Sequence, residues 1–445
     1  MVTLPLIRGF APDGVFAWRD GRAVSVGAFL RDVAQLAARL PERRHVLNLC
    51  ADRYRFAVGF AAALSRRHAS LLPPNETPDM IERLASQYPD IYCLYDGAGG
   101  PAGLETVSFP QPAANAPEVT VIPVVPEMHV AAILFTSGST GQPVPHCKTW
   151  RSLVRGAFSE IERLDMRARP GMAVLATVPP QHAYGLESTV VLVMQGGLAL
   201  HAGRPLFPAD VRAALAELPR PRAFVTTPVH LRVLLAETDA LPPADLVLCA
   251  TAPLSPQLAA EAEARFAAPL YEIYGCTESG GIAARRTVET VEWRAMREVA
   301  LRTDGRGTWV KGGHVEAEVL LADVIELRGH GKFLLHGRTA DLVNIAGKRT
   351  SLAHLNYHLN SIEGVRDGAF VAPEEKGEGV ARLAAFVVAP GHTSESLMNA
   401  LRQRIDAAFL PRPLCFVDAL PRNATGKLPR QALAELESEL ARKAG

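Results

Sequence analysis

A strand-like apolar segment at residues 131–135 is followed at once by a loop of small and hydroxyl-bearing residues. The loop consists of Thr136, Ser137, Gly138, Ser139, Thr140 and Gly141. Glycine lets backbone N–H groups approach an anion closely, and the hydroxyl groups add further donors. The pattern favours a phosphate-binding loop, although the same residues also suit an ordinary surface turn. The Walker pattern does not fit, because the residue directly before Lys148 is not a glycine. The dinucleotide-binding pattern does not fit either, because no GxGxxG spacing occurs here.

Three further clusters along the chain carry residues that are able to do chemistry. They are YGCTES at 274–279, GRTADLVNIAGKR at 337–349 and LPRNATGKLPR at 420–430. Each cluster is ambiguous alone: Glu278 suits a solvated acid, Arg338 a surface ion pair, and Lys427 an exposed lysine. The four clusters must therefore be interpreted together with the elements that position them.

Short apolar runs alternate with amphipathic segments over the first three quarters of the chain. The runs include HVLNLC (45–50), IYCLYD (91–96), AFVTT (223–227), DLVLCA (245–250) and LYEIY (270–274). Strands that alternate with helices predict an α/β fold with largely parallel sheets. After about residue 330 the pattern changes, and a helix at 394–409 with further strands indicates a small α+β domain. A chain of 445 residues is also too long for one ordinary core.

In this order and spacing, the four clusters resemble the adenylate-forming superfamily. That superfamily includes acyl- and aryl-CoA synthetases, adenylation domains of nonribosomal peptide synthetases, and luciferases. The resemblance spans essentially the whole chain. It implies a large N-terminal multi-sheet α/β domain at 1–336, which holds ATP and the acyl pocket. It also implies a small, mobile α+β cap domain at 337–445.

The resemblance implies roles for the nucleotide-binding residues. Residues 136–141 would wrap the β- and γ-phosphates of ATP. Tyr274 would stack near adenine, Thr277 would touch the α-phosphate, and Glu278 would help to hold Mg²⁺. Carboxylate and phosphate oxygens are the ligands that magnesium prefers.

Three further positions acquire roles in the same way. Asp323, fourteen residues before Gly337, would bind the ribose hydroxyls, and Arg338 would reach the ribose or the phosphates. Lys427 would be the C-terminal catalytic lysine, bridging the attacking carboxylate and the phosphate as a compact, mobile cation can.

Four small or polar residues are expected to line the acyl pocket. His182, in PPQHAYGLE (179–187), resembles the residue beside the acyl group in relatives, although a core or helix-capping histidine is the alternative. Thr227 and Ala250 match segments that build the pocket wall and the adenine slot. Ala250 and Gly275 would leave room for a flat ring.

The chain departs from the pattern of the superfamily at three positions. Val144 stands where the loop usually carries a lysine, and the next lysine is Lys148. Ala340 stands at the hinge, where an aspartate or lysine is usual. The LLADVIEL context of Asp323 lacks the usual Thr-Gly before the acid.

The resemblance implies ATP-dependent activation of a small carboxylic acid as acyl-AMP, followed by transfer to a thiol. The thiol would belong to CoA or to the phosphopantetheine arm of an acyl carrier protein. The compact chain resembles the AMP-ligases of aryl-polyene and xanthomonadin-type pathways, which favours a hydroxybenzoate- or hydroxycinnamate-like acid. A medium-chain fatty acid is the alternative substrate, and a non-catalytic nucleotide- or carrier-binding relative is the alternative class.

Bulk composition excludes several other partners. The formal net charge is +1, so charge favours neither nucleic acid nor an anionic membrane surface. No apolar stretch approaches the roughly 18 residues needed to span a bilayer. The six cysteines are scattered without a CxxC pair, which excludes that metal or redox motif. These features predict a cytoplasmic enzyme.

Overall fold

The computed structural model describes most of the chain. The described residues are 2–11, 13–97, 99–110, 118–137, 143–338, 341–345, 348–372, 383–422, 428, 432–433 and 435–436. Residues 138–142, Ala340 and Lys427 therefore lie outside the described residues, together with most of the last fifteen.

The first third of the chain holds ten strands and four helices within the described residues. The strands are β1 (Thr3–Pro5), β2 (Val15–Arg19), β3 (Arg22–Ser25), β4 (His45–Asn48), β5 (Ala69–Leu72), β6 (Ile91–Tyr95), β7 (Thr106–Ser108), β8 (Val124–Pro126), β9 (Val130–Ser137) and β10 (Pro143–Thr149). The helices are α1 (Val26–Ala37), α2 (Arg53–Ser65), α3 (Pro78–Gln87) and α4 (Trp150–Arg163).

The middle of the chain continues with strands and helices in alternation. Its strands are β11 (Ala173–Ala176), β12 (Ala199–His201), β13 (Arg222–Thr226), β14 (Leu246–Cys249), β15 (Leu270–Cys276), β16 (Gly280–Arg285), β17 (Trp293–Ala295), β18 (Ala300–Asp304), β19 (Gly307–Gly312), β20 (Val315–Leu321), β21 (Asp323–Gly329) and β22 (Lys332–Arg338). Its helices are α5 (Ala183–Gly185), α6 (Leu192–Gly196), α7 (Pro208–Glu217), α8 (Pro228–Leu235) and α9 (Pro256–Phe266), with a π-helical segment at Leu186–Val191 and a 3-10 turn at Met166–Ala168.

The last part of the chain forms a smaller α+β unit. Its strands are β23 (Leu342–Ile345), β24 (Lys348–Ser351), β25 (Asp367–Val371), β26 (Ala384–Val388) and β27 (Leu414–Phe416). Its helices are α10 (Leu352–Asn360) and α11 (Ser394–Arg402), with a 3-10 turn at Ala407–Phe409. The helix predicted over 394–409 is thus too long, because Asp406 caps the separate 3-10 turn by accepting from Ala408 N–H.

Two large sheets form the body of the protein. One has six strands in the order β10-β9-β5-β4-β6-β7, and the other has eleven in the order β21-β22-β17-β16-β15-β14-β13-β11-β12-β2-β3. Both have parallel strands at the centre, with antiparallel pairs toward one edge of the six-stranded sheet and toward both edges of the eleven-stranded sheet. The parallel strands are apolar and buried on both faces, as parallel sheets covered by helices must be. The predicted α/β class, with a large N-terminal and a smaller C-terminal domain, is confirmed.

Helix α2 lies between the two large sheets. It contacts β4 and β5 of one sheet and β12 of the other. Nearly every residue of α2 is buried, as expected for a helix that is apolar on all sides. Its N-terminal residue, Arg53, is also fully buried, and its guanidinium donates to carbonyl oxygens at and just after the end of β11.

The predicted domain boundary at 336/337 falls within β22, the last strand of the eleven-stranded sheet. The elements after Arg338 have a separate apolar core built around Leu355, Phe370 and Leu397. The smaller unit is joined to the body by the polypeptide chain and also contacts it through side chains. Gln257 Nε2 donates to the Ser361 carbonyl oxygen at 2.8 Å.

Candidate active site

Four adjacent parallel strands of the eleven-stranded sheet end at the same edge. They are β11, β13, β14 and β15. The carboxyl ends of parallel strands are where α/β proteins bind ligands. His182, Thr227 and Ala250 each follow one of the first three strands, and the YGCTE segment spans the end of β15, so the fold brings four predicted positions to one edge.

The turn between β15 and β16 presents Thr277 and Glu278. This turn is tight: a Cβ on Gly275 would lie 2.1 Å from the carbonyl oxygen of Gly280. Only glycine fits there, and the register shifts between Tyr274 and Gly275. Ser279 is buried and fixes the turn from inside, donating to the Gly280 carbonyl oxygen at 3.0 Å. Gly275 is thus required for the backbone packing of the turn, and the expectation that it leaves room for a flat ring stays a prediction.

The hairpin of β9 and β10 lies beside this turn. Thr136 Oγ1 is 2.9 Å from His146 Nε2, and the same nitrogen is 3.7 Å from Glu278 Oε1. The side chain of Ser137 and the residues Gly138, Ser139, Thr140 and Gly141 lie outside the described part of the chain. Of the predicted phosphate loop, Thr136 therefore lies near the predicted magnesium ligand Glu278, with His146 between them.

Lys148 is the residue of this region that the sequence analysis left without a role. It is buried, with 4% of its surface exposed. Its Nζ donates to the backbone carbonyl of Glu278 at 3.1 Å and lies 4.0 Å from Glu187 Oε1. The sequence held a signal, since His146 and Lys148 are two apart and so share one face of a strand.

Glu187 continues this buried network. Its Oε2 accepts a hydrogen bond from the Gly281 N–H at 3.2 Å. Burial raises the pKa of the Glu187 carboxyl, whereas Lys148 and the Gly281 N–H lower it in part. Lys148 thus joins the acyl motif at 179–187 to the turn that carries Glu278.

Tyr274 and Asp323, two of the predicted nucleotide-binding residues, are joined by a hydrogen bond. The Tyr274 hydroxyl donates to Asp323 Oδ2 at 2.8 Å. Arg338 faces Asp323 across the β21–β22 pair. Burial raises the pKa of Asp323, and the Tyr274 hydrogen bond and Arg338 counteract part of that rise. The Tyr274 ring packs against Trp293, with ring centroids 5.5 Å apart.

The loop after β11 is held by a buried arginine. The Arg53 guanidinium donates to the carbonyl oxygens of Ala176 and Val178, at 3.1 Å and 2.7 Å. It also donates to Thr189 Oγ1 at 3.0 Å. Burial lowers the pKa of Arg53 to about 9. Arg53 thereby fixes the strand end that leads into the acyl motif.

The remaining predicted pocket residues have structural roles visible in the fold. His182 is the N-cap residue of α5, and its carbonyl accepts from Leu186 N–H at 2.8 Å. Thr227 is buried and caps α8, where its side chain accepts from His230 N–H. Ala250 is buried directly after β14. Each lies at the pocket edge of the sheet, and their contact with a substrate stays a prediction.

Lys427 lies outside the described residues, but the segment before it is anchored. Arg422 donates to both carboxylate oxygens of Asp367, at 2.7 Å and 2.9 Å. Asp367 Oδ1 also lies 3.9 Å from the guanidinium of Arg232 on α8. One carboxylate of the smaller unit therefore contacts both the chain leading to Lys427 and the large domain.

Glu278 has the properties that a magnesium ligand needs. Its side chain is 39% exposed and lies beside the hairpin of β9 and β10, which carries the Thr136 hydroxyl. Burial raises the pKa of Glu278, but hydrogen bonds from the backbone and from Cys276, with the charges of His146 and Lys148, lower it below its usual value. No group of three metal-ligating side chains occurs among the described residues. A metal here would therefore take most of its ligands from phosphate and water oxygens, as Mg²⁺ commonly does.

The chain belongs to the AMP-binding enzyme family. The AMP-binding enzyme domain matches residues 34–323, and the AMP-binding enzyme C-terminal domain matches residues 358–427. The protein is accordingly an adenylate-forming enzyme, which uses ATP to activate a carboxylic acid as its acyl-adenylate. The predicted superfamily is confirmed.

Individual proteins resemble the chain over most of its length. The 4-coumarate–CoA ligase of Rhodobacter capsulatus is 30% identical over 300 residues, which are 66% of this chain and 74% of that ligase. ATP-bound MatB from Rhodopseudomonas palustris shares the fold, with a TM-score of 0.81, 17% identity and coverage of 96% of this chain and 97% of MatB. MenE from Bacillus subtilis, solved with ATP and a magnesium ion, gives a TM-score of 0.79 at 17% identity over 97% of this chain and 100% of MenE.

The helices of the described residues were compared with the length and hydropathy of a membrane span. None of the helices in the described part of the chain combines the length and apolar character needed to cross a bilayer.

Proposed function

We propose that the protein converts an aromatic carboxylic acid, of hydroxybenzoate or hydroxycinnamate type, to a CoA thioester through an acyl-AMP intermediate. The hydrogen bond between Tyr274 and Asp323 is the observation that carries the nucleotide site. It joins two motifs 49 residues apart, at the end of the strand that leads into the turn carrying Glu278. The resemblance to a 4-coumarate–CoA ligase supports the aromatic acid and the CoA acceptor.

In the first step, an oxygen of the substrate carboxylate attacks the α-phosphorus of ATP, and the bond from that phosphorus to the bridging oxygen of pyrophosphate breaks. No protein nucleophile is required, so the residues act by positioning and by stabilising charge. Thr136 with residues 137–141 would hold the β- and γ-phosphates. Thr277 would contact the α-phosphate, while Tyr274, Asp323 and Arg338 would hold the nucleoside.

Magnesium, when bound at Glu278, would neutralise part of the negative charge that develops on the phosphates. Within the chain, Lys148 and His146 support this position. Lys148 holds the backbone of Glu278, and His146 lies between the Thr136 hydroxyl and the Glu278 carboxylate. We propose that these two basic residues compensate for Val144, which stands where the superfamily usually carries a lysine.

In the second step, the thiol of CoA attacks the acyl carbon, and AMP leaves with the electron pair of the broken C–O bond. We propose that the smaller domain, residues 337–445, changes orientation between the two steps. The phosphopantetheine thiol of an acyl carrier protein is the second acceptor to test, as in the aryl-polyene and xanthomonadin-type group that the compact chain resembles. The acid would lie beside His182, Thr227, Ala250 and Gly275. We also propose a cytoplasmic location, where ATP and CoA are available.

Lys427 gives the sharpest test of the adenylation step. In Lys427→Ala, ATP–pyrophosphate exchange is expected to fall at least about 100-fold, because the cation at the transferring phosphate is lost. Formation of the thioester from synthetic acyl-AMP should be retained. Lys332→Ala, which removes an exposed lysine paired with Glu292, is the matched control. Unchanged exchange in Lys427→Ala would remove this role for the lysine.

A panel of acids then tests the substrate class. Benzoates, cinnamates and medium-chain fatty acids would be compared in ATP–pyrophosphate exchange, with CoA and carrier protein as acceptors. Exchange with the aromatic acids alone supports the proposal. Exchange only with fatty acids would replace the substrate class, and no exchange by a protein that binds ATP would indicate a non-catalytic relative.

A further inference from the structure

Strand β15 carries a buried ion pair that the reaction scheme does not use. Glu272 is 4% exposed and lies opposite Arg285 in the pairing of β15 with β16. Its Oε2 accepts from Arg285 Nε at 2.8 Å and from the Thr287 hydroxyl at 2.9 Å. Arg285 is largely buried as well, with 13% of its side chain exposed. Hydrogen bonds between an arginine and a carboxylate are short and geometrically specific, so the Glu272 carboxylate is fixed in one orientation.

The other oxygen of Glu272 contacts the loop that follows the neighbouring strand. Glu272 pairs in register with Cys249, the last residue of β14. Its Oε1 accepts from the backbone N–H of Leu254 at 3.2 Å. Leu254 belongs to the loop that runs from Ala250 to the start of α9, in the segment predicted to build the pocket wall and the adenine slot. Glu272 therefore anchors this loop to β15.

The anchored loop contains a residue with a strained backbone. Thr251, directly after Ala250, has a φ of 83°, which lies in a region that β-branched residues rarely adopt. Backbone strain of this kind persists only where the surrounding structure holds it, and it clusters at ligand-binding sites. The hydrogen bond from Leu254 to Glu272 is one of the contacts that hold the loop in this conformation.

The arginine of the pair supports the other side of the same slot. The guanidinium carbon of Arg285 lies 4.4 Å from the centroid of the Trp293 ring, within the range of a cation–π interaction. The Trp293 ring packs in turn against Tyr274, which is predicted to stack near adenine. Glu272 and Tyr274 are two residues apart on one strand and therefore share a face of the sheet. The pair thus holds the loop through Glu272 and the tyrosine through Arg285 and Trp293.

We propose that the ion pair of Glu272 and Arg285 positions the two walls of the nucleobase slot and thereby sets the affinity of the enzyme for ATP. This inference rests on the proposed function, since it requires a nucleotide between Tyr274 and the loop at 250–255. Both members are positioning residues, because they act through Leu254 and Trp293 and take no part in the chemistry at phosphorus. An interaction that is the same in the ATP complex and in the transition state changes substrate binding and leaves kcat nearly unchanged.

The test measures the Kd for ATP by calorimetry and the kinetic constants for pyrophosphate release with 4-hydroxycinnamate. Glu272→Gln keeps the shape of the side chain but removes its charge. Its Kd and KM for ATP should rise about tenfold, which is the lower end of the value of a hydrogen bond to a charged group. Its kcat at saturating ATP should stay within about twofold of the wild-type value.

A matched control lies at the opposite end of the same strand. Glu263 also pairs with an arginine, Arg286, at 2.7 Å, and it also accepts from a backbone N–H, that of Leu270, at 2.8 Å. Leu270 begins β15, at the end away from the nucleotide site. Glu263→Gln should therefore lower the thermal midpoint as Glu272→Gln does, but its Kd for ATP should stay within about twofold of the wild-type value.

The comparison has outcomes that overturn the inference. A pair that only stabilises the fold would leave the Kd for ATP unchanged in Glu272→Gln, or would change it equally in Glu263→Gln. Where Glu272→Gln fails to fold, Glu272→Met/Arg285→Met decides, since replacing a buried ion pair by apolar side chains often preserves stability. An unchanged Kd in this double variant would overturn the inference too. Failure of the proposed function is distinct: no acid would then support pyrophosphate release, while the Kd values still decide the role of the pair. A wild-type protein that binds no ATP would overturn both.

Discussion

The ammonium group of Lys148 lies 3.1 Å from the backbone carbonyl oxygen of Glu278 and is buried beneath the turn that carries this carboxylate. The lysine belongs to β10, which begins directly after the predicted phosphate loop. Its charge is partly balanced by Glu187, 4.0 Å away. Val144 stands where the superfamily usually carries a lysine, and the same strand, β10, places the cation of Lys148 under the turn that carries Glu278.

Removal of this cation should affect both stability and catalysis. Lys148→Met keeps about the length of the side chain but leaves the largely buried Glu187, whose side chain is 20% exposed, without its charge partner. Breaking a buried ion pair by removing one partner typically costs about 3–5 kcal/mol. We expect a loss of about 3 kcal/mol in the free energy of unfolding, together with a lower kcat for pyrophosphate release. Denaturant unfolding and pyrophosphate release measure the two effects.

The double variant Lys148→Met/Glu187→Gln separates the two contributions. It removes both charges, so the stability of the protein should recover in part while kcat stays low. Glu187→Gln alone completes the comparison. If the stability losses of Lys148→Met and Glu187→Gln simply add in the double variant, the two side chains do not form a coupled pair.

The contact between Tyr274 and Asp323 should govern nucleotide affinity. Tyr274→Phe keeps the ring but removes the donor to Asp323, so the KM for ATP should rise about five- to tenfold, which corresponds to about 1 kcal/mol for one intramolecular hydrogen bond. The kcat should change less, because the contact exists before the reaction. Steady-state kinetics with varied ATP gives both constants. Tyr271→Phe, on the same strand, should leave both constants unchanged, and an equal change in the two variants would contradict the role of the contact.

The turn between β15 and β16 should tolerate no side chain at Gly275. Alanine there would place Cβ 2.1 Å from a backbone oxygen, so the turn must shift. We expect Gly275→Ala to cost about 2–3 kcal/mol of stability, as overpacking does, and to lower activity by displacing Glu278. Gly305→Ala, where nothing lies within 4 Å of the added Cβ, should be neutral in the same thermal-unfolding assay. A stable and fully active Gly275→Ala enzyme would contradict this account.

The sequence predicted the strands that end at the site, since apolar runs of four to seven residues bounded by polar turns are a local signal. It also predicted that Tyr274 and Asp323 serve the same nucleotide. It missed Lys148, Glu187 and Glu160, because the burial of a charged side chain depends on elements distant in sequence. Glu160 did carry a signal: it lies on the apolar stripe of α4 with Val154 and Ala157, where a carboxylate is out of place.

The stability of the protein should depend on pH through Glu160. Burial raises the pKa of this carboxyl from 4.5 to about 8. The folded protein therefore keeps a proton that the unfolded chain releases, and raising the pH from about 4.5 to about 8 favours unfolding. Relative to Glu160→Gln, the wild-type protein should lose roughly 3–5 kcal/mol across this window and no more above it.

Denaturant unfolding of both proteins at several pH values from about 5 to about 9 isolates the effect. The difference between the two proteins removes the contributions of other groups, such as His314, whose pKa burial lowers to about 4. Parallel pH profiles for wild type and Glu160→Gln would show that Glu160 is ionised in the folded state.

The contact of Asp367 with Arg232 and Arg422 should set the orientation of the smaller domain. Arg232 belongs to the large domain and Asp367 to the smaller one, and their side chains are only 22% and 14% exposed. Arg232→Ala should shift the population away from the present arrangement about five- to thirtyfold, equivalent to about 1–2 kcal/mol for a partly buried pair. Small-angle scattering, or fluorescence transfer between labels on the two domains, measures this shift. Arg212→Ala, which breaks a pair with Glu237 and Asp239 inside the large domain, should leave the arrangement unchanged. Equal scattering from all three proteins would show that the Asp367 contact does not hold the domains together.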